Sequence, residues 1–166
     1  MRYHNITKGD MLNGEGLRAV LWVAGCAHAC KGCHNPITWD ANGGIPFAPE
    51  AEEELLQCLA EDYISGLTFS GGDPLYEGNR AGITRLAKLA KEKFPTKDIW
   101  LYTGYLWEEI KELPLIPYLD ILVDGKFMEE QKNTQLHWKG SANQRIVDVQ
   151  KSLATNTVVL YKDETM

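Results

Sequence analysis

Three of the four cysteines fall inside the stretch Gly25-Cys26-Ala27-His28-Ala29-Cys30-Lys31-Gly32-Cys33-His34-Asn35. Their spacing is C-x3-C-x2-C, and several chemistries compete for it. On an α-helix the three positions would share an arc of about 60°, so a buried stripe is one reading. Gly25, Gly32 and the following Pro36 are poor helix formers and favour a loop instead. A structural zinc site would need His28 or His34 as a fourth ligand, and such sites usually draw on two separated ligand pairs. No second pair stands elsewhere in the chain. Cys30-Lys31-Gly32-Cys33 is formally a redox C-x-x-C, which leaves Cys26 unexplained. An iron–sulfur cluster uses all three thiolates. A [4Fe–4S] cube has four irons, so three cysteines (Cys26, Cys30 and Cys33) leave one iron open to a substrate or cofactor. The absent fourth ligand makes the site catalytic. Cys58, in a helical segment, reads as a core residue.

The elements around this stretch decide what it faces. The mostly apolar run 17–24 lacks alternation and suits a strand covered on both faces. It feeds directly into the cysteines. Residues 49–60 open on Pro49 with acids in the first turns and read as a helix. Residues 66–70 form a short strand ended by Gly71-Gly72, and 80–94 a second helix with Ile83, Leu86, Ala87 and Ala90 at helical spacing. A third strand is expected over 98–102, a short helix over 106–112, and a fourth strand over 119–123. Residues 145–149 and 157–160 read as extended. Arg18, at the head of the first strand, reads as a solvated residue.

This alternation predicts an α/β fold with a parallel sheet, which places chemistry at the carboxyl ends of the strands. The unusual residues fall there: the cysteines, then Ser70-Gly71-Gly72-Asp73-Pro74, then Thr103-Gly104, then Asp124-Gly125-Lys126. With fewer strands than a closed eight-fold barrel needs, an open, partial (β/α) barrel is expected, as one domain over 1–166. Thr103 and Asp124 read equally as strand-end caps or as groups that orient a cofactor or bind a cation.

At 166 residues the chain can bury a core without disulfide or metal support. Its hydrophobic fraction of 44% and charged fraction of 24% are those of a globular protein, and its formal net charge is −6. No clustered basic stripe is present, so no nucleic-acid partner is expected. No apolar run reaches eighteen residues and no signal-type core follows Met1, so no membrane partner and a cytoplasmic location are expected.

The C-x3-C-x2-C motif after a first strand, with a Gly-Gly-Asp-Pro turn at 71–74 after the second, resembles the radical S-adenosylmethionine (radical SAM) superfamily. Further segments are similar to its subgroup of anaerobic ribonucleoside-triphosphate reductase activases: Asn13-Gly14-Glu15-Gly16, Thr38-Trp39, residues 97–105, Val123-Asp124-Gly125-Lys126-Phe127 and residues 138–145. Many relatives have proline where this chain has Glu15. Many superfamily members have an aromatic where this chain has Gly32, and glycine there is common in the subgroup.

The resemblance implies a [4Fe–4S] cluster held by Cys26, Cys30 and Cys33, with S-adenosylmethionine chelated at the open iron. Gly32, Cys33 and His34 would line the cofactor, Gly72 and Asp73 would meet its methionine end, and Asn143 would contact its adenosyl part. Glycines allow close backbone approach, and a carboxylate can pair with the amino group. The implied reaction is reductive cleavage of S-adenosylmethionine, followed by hydrogen abstraction from a glycine in the large subunit of anaerobic ribonucleoside-triphosphate reductase. The implied electron donor is flavodoxin-like. His28 and His34 would shape the loop or meet the partner, and residues 102–105 with Trp138 would offer partner surface. Two other readings stand beside it: an activase of a different glycyl radical enzyme, and a non-enzymatic zinc or redox module.

Overall fold

The computed structural model describes residues 1–161, so the last five residues of the domain expected over 1–166 lie outside the described residues. Among the described residues, seven strands form one sheet: β1 (Arg2–Asp10), β2 (Arg18–Val23), β3 (Ile45–Pro46), β4 (Gly66–Gly71), β5 (Asp98–Tyr102), β6 (Ile121–Asp124) and β7 (Arg145–Asp148), in the order β3-β1-β2-β4-β5-β6-β7. The described residues also form four α-helices: α1 (Pro49–Leu59), α2 (Arg80–Lys93), α3 (Trp107–Ile110) and α4 (Val149–Thr155).

The centre of the sheet, β2-β4-β5-β6, is parallel. Its edges depart from the expected all-parallel pattern, because β1 runs antiparallel to β2 and β3, and β7 antiparallel to β6. The result is a mixed α/β sheet. Parallel strands covered on both faces explain why β2, β4, β5 and β6 read as continuous apolar runs. Alternate residues divide between two clusters. Leu67, Phe69, Ile99, Leu101 and Leu122 join the main core, under Leu55 and Leu59 of α1 and Ile83, Leu86 and Ala87 of α2. Trp100, Ile121 and Val123 face the other way, against Trp138 and Ile146. Cys58 lies in the main core, as its helical position implied.

Four expectations change. Arg18 is not solvated. It is fully buried, donating from Nε to Thr68 Oγ1 at 2.7 Å and from Nη2 to the Leu67 carbonyl at 3.0 Å, with the Asp98 carboxylate 2.8 Å from Nη1. The extended stretch at 145–149 stops at Asp148, whose side chain accepts from Lys151 N and caps α4. Over 157–160 the structure has only an isolated bridge between Val147 and Leu160. The helix expected over 106–112 is shorter, ending at Ile110.

The four parallel strands point the same way, so Val23, Gly71, Tyr102 and Asp124 end on one rim. The loops that follow them build the site.

Candidate functional site

The cysteine loop leaves β2 through Gly25, whose φ of +108° only glycine adopts readily and where a methyl group would lie 2.8 Å from the Tyr76 ring. The loop is pinned at its roots. Gly25 N donates to the Thr38 carbonyl at 2.7 Å, and Cys26 N to the Trp39 carbonyl at 3.1 Å. Its far arm is a tight turn in which Cys33 N donates to the Cys30 carbonyl and Asn35 N approaches Cys33 Sγ at 3.5 Å. Thr38 is buried and donates to the Asn35 carbonyl, so it anchors the loop.

The glycine turn after β4 packs directly on this loop. Gly72 N donates to the Val23 carbonyl at 2.8 Å, and Asp73 N to the Gly25 carbonyl at 2.7 Å. A methyl group on Gly72 would stand 2.5 Å from the Gly25 oxygen and 2.6 Å from the Thr38 oxygen. Only glycine fits there. The Asp73 carboxylate is buried and accepts from Leu75 N at 2.8 Å, from Thr103 Oγ1 at 2.9 Å on both oxygens, and from Gly104 N at 2.9 Å. His28 Nε2 lies 2.6 Å from the same carboxylate.

One cavity gathers these parts. Cys26, Cys30, Cys33 and His34 form one wall, Ser70, Gly71, Gly72 and Asp73 a second, and Tyr102, Thr103 and Gly104 a third. Gly125, Phe127, Gly140 and Gln144 close the far side. Of the eight residues assigned to cluster or cofactor from the sequence, six border the cavity (Cys26, Cys30, Cys33, His34, Gly72 and Asp73), and His28 and Thr103 line it beside them. The other two of the eight do not. Gly32 sits at an exposed elbow beside Glu129, and Asn143 turns its Nδ2 to the Lys126 carbonyl at 2.7 Å while its neighbour Gln144 lines the space. The Asn143 Oδ1 atom is buried with no hydrogen-bond partner.

Sequence reasoning missed Gln144, whose Oε1 accepts from Gly140 N and Ser141 N and whose Nε2 donates to the Gly125 carbonyl. Gly125, held at φ +97°, and Gly140, where a methyl group would press on the Phe127 ring at 3.1 Å, were the available signal. Trp138 is buried against Trp100 and accepts from Tyr102 Oη at its carbonyl, so neither offers the open partner surface expected of them. Asp124 is enclosed and taken up by Arg145 and by Trp107 N, which makes it a strand-end cap.

The donor set fits an iron–sulfur cluster. All three loop cysteines are free, half-buried and face one cavity, and soft thiolates suit iron–sulfur ligation. Burial pushes the Cys26 thiol above its ordinary range, so the bare thiol is neutral and iron would displace its proton. Among the described residues no group of three or more His, Cys, Asp or Glu converges on one ion position. No helix among the described residues is long and apolar enough to cross a membrane.

Comparison with known proteins agrees with this chemistry. Residues 12–147 match the family described as "4Fe-4S single cluster domain". The chain is 47% identical over 146 residues to the anaerobic ribonucleoside-triphosphate reductase-activating protein of Enterobacteria phage T4, covering 88% of this chain and 93% of the relative. It is 43% identical to the protein of that name from Vibrio cholerae, covering 88% and 97%, and 39% identical to that from Escherichia coli K12, covering 87% and 96%.

Proposed function

The chain belongs to the family of anaerobic ribonucleoside-triphosphate reductase-activating proteins, and from that premise we propose that it installs a glycyl radical on the large subunit of that reductase by radical SAM chemistry. The observation that carries this reading is the placement of three unpaired thiols across one cavity from a turn that admits only glycine.

In this reading Cys26, Cys30 and Cys33 hold a [4Fe–4S] cluster with one iron left for S-adenosylmethionine. The cluster and cofactor, once bound, supply the one-electron cleavage that ends in hydrogen abstraction from the partner's glycine. The chain's own residues bind, orient and shield. Gly72 lets backbone come close to the methionine end, and Asp73 fixes that turn through the donors around it. Cys33 and His34 border the cofactor from the cluster loop, where the His34 ring stands edge-on to Phe127 at 5.2 Å, while Gly32 shapes the loop's outer elbow and stays off the cavity. Asn143, next to the cavity-lining Gln144, is the residue assigned to the adenosyl part. The parallel strands β2, β4, β5 and β6 with α1 and α2 are read as the partial barrel of the superfamily, and the electron donor as a flavodoxin-like protein of the cytoplasm.

The test is to mix anaerobic, reduced protein with S-adenosylmethionine and the reductase large subunit, then record electron paramagnetic resonance. A glycyl radical on the large subunit is expected. Its absence, with cluster and cofactor both bound, would overturn the assignment of this partner.

A further inference from the structure

His28 lies between two of the cluster-loop cysteines, yet it does not point into solvent. Its side chain is 8% exposed. Its ring stands edge-on to Tyr105, centroids 4.6 Å apart, and Nε2 meets Asp73 Oδ2 at 2.6 Å. A carboxylate accepts only, so Nε2 carries the proton and donates. Tyr105 is itself capped by the Arg80 guanidinium, 5.4 Å from its centroid. The ring therefore rests in a slot made by the segments after β4 and β5. Gly104 shapes that slot: a methyl group there would lie 2.5 Å from Cδ2 and 2.7 Å from Nε2 of His28.

The Asp73 carboxylate has about four acceptor positions. Leu75 N, Thr103 Oγ1, Gly104 N and His28 Nε2 fill them. Three of these donors belong to the rim itself. The fourth comes from the cysteine loop and ties it to the rim through a buried contact, unlike the exposed Lys31–Glu129 pair. We infer that His28 is a positioning residue, which locks the cysteine loop at a fixed distance from the glycine turn through Asp73, so that this carboxylate serves cofactor binding by holding the loop and not by pairing with the cofactor's amino group. A second loop residue supports the need for such a lock. Ala29 is held at φ +49°, a conformation that L-residues seldom adopt and that surrounding contacts must maintain.

The inference deepens the proposed function and rests on it for the identity of the cofactor, but its first readout does not. Hydrogen exchange on the cluster-free chain should show the Cys26 and Gly104 amides exchanging at least tenfold faster in His28→Ala, with protection largely restored in His28→Gln, whose amide can donate to Asp73. Gly104→Ala should reproduce His28→Ala by evicting the ring, and the double variant should be no worse than either single one, since coupled residues are non-additive. In anaerobically reconstituted protein, His28→Ala and Gly104→Ala should keep most of the parent's iron while S-adenosylmethionine affinity falls at least tenfold. Parent-like exchange in both variants, or additive effects in the double variant, would overturn the lock. Altered exchange with unaltered cofactor affinity would overturn its link to cofactor binding. A parent chain that binds cluster but no S-adenosylmethionine would overturn the proposed function and leave the exchange result standing.

Discussion

The Arg18 guanidinium, fully enclosed, lies 2.8 Å from the Asp98 carboxylate and so joins the first residue of β2 to the first residue of β5 across β4. Burial pulls the guanidinium below its ordinary range and Asp98 opposes that pull. The remaining donors are satisfied by Thr68, Leu67 and the Glu15 carbonyl. This is a structural ion pair at the end of the sheet away from the site. Arg18→Ala removes the pair and leaves a void, and it should cost about 3 kcal/mol or more of unfolding free energy. Asp98→Asn, on the wetter side of the pair, should cost about 1–2 kcal/mol. Denaturant unfolding of the cluster-free chain measures both. A loss under about 1 kcal/mol for Arg18→Ala would show that the buried charge is not holding the strands together.

Gly72 has no room for a side chain, because two backbone oxygens from different segments flank it. Neither can swing aside as a flexible side chain would. Gly72→Ala should force the turn and the cysteine loop apart, with a stability loss of about 1–3 kcal/mol from overpacking. S-adenosylmethionine affinity should fall at least tenfold. Parent-like affinity measured by equilibrium binding would contradict the close packing of turn on loop.

Arg145 forks onto Asp124, Nε to Oδ1 at 3.1 Å and Nη2 to Oδ2 at 2.6 Å, and also reaches Glu108 at 2.9 Å. Arg145→Ala leaves a buried carboxylate without its cation and should cost about 3 kcal/mol, while Arg145→Lys restores only part because the fork is lost. Hydrogen bonding to Arg145 holds the Glu108 carboxyl below its ordinary range. Its share of stability is therefore complete above the ordinary Glu value of about 4.3 and is lost as pH falls through the lower folded value. That share is small, since Glu108 is largely exposed. Unfolding followed from pH 7 to pH 3 should show it in the parent and not in Arg145→Ala.

Much of this arrangement was legible in the chain. The strands β2, β4, β5 and β6 announce themselves as apolar runs because both their faces are covered, and their common direction puts the cysteines and Gly72 on one rim. The strand β1 carried no such signal: of its nine residues only Tyr3 and Ile6 are buried, and the backbone pairing with β2 and β3 holds it. Arg18 misled for a different reason. A charged residue at a strand end reads as solvated unless its partners are known, and Thr68 and Asp98 stand 50 and 80 residues away. The Asp148 cap of α4 was local and readable, but the apolar Val147 and Val149 beside it imitated a strand. Gln144 was masked by Asn143, one position away, and loop register is set by tertiary contacts with Gly125 and Gly140.

Cys58 separates structural from ligating thiols. It lies in the core, 7% exposed, and burial raises its thiol. Cys58→Ala should lower stability by about 1 kcal/mol through lost packing and leave the iron content unchanged. Each of Cys26→Ala, Cys30→Ala and Cys33→Ala should lose most of the iron. A normal iron content in any of those three, or a large loss in Cys58→Ala, would contradict the ligand assignment.

The most direct measurement is made on the anaerobically reconstituted chain by itself: iron, sulfide and zinc content, with electron paramagnetic resonance of the reduced protein before and after S-adenosylmethionine is added. The account predicts about four iron and four sulfide per chain, and a cluster signal that changes when the cofactor binds the open iron. One tightly bound zinc with no sulfide, or a cube whose signal ignores the cofactor, would contradict it.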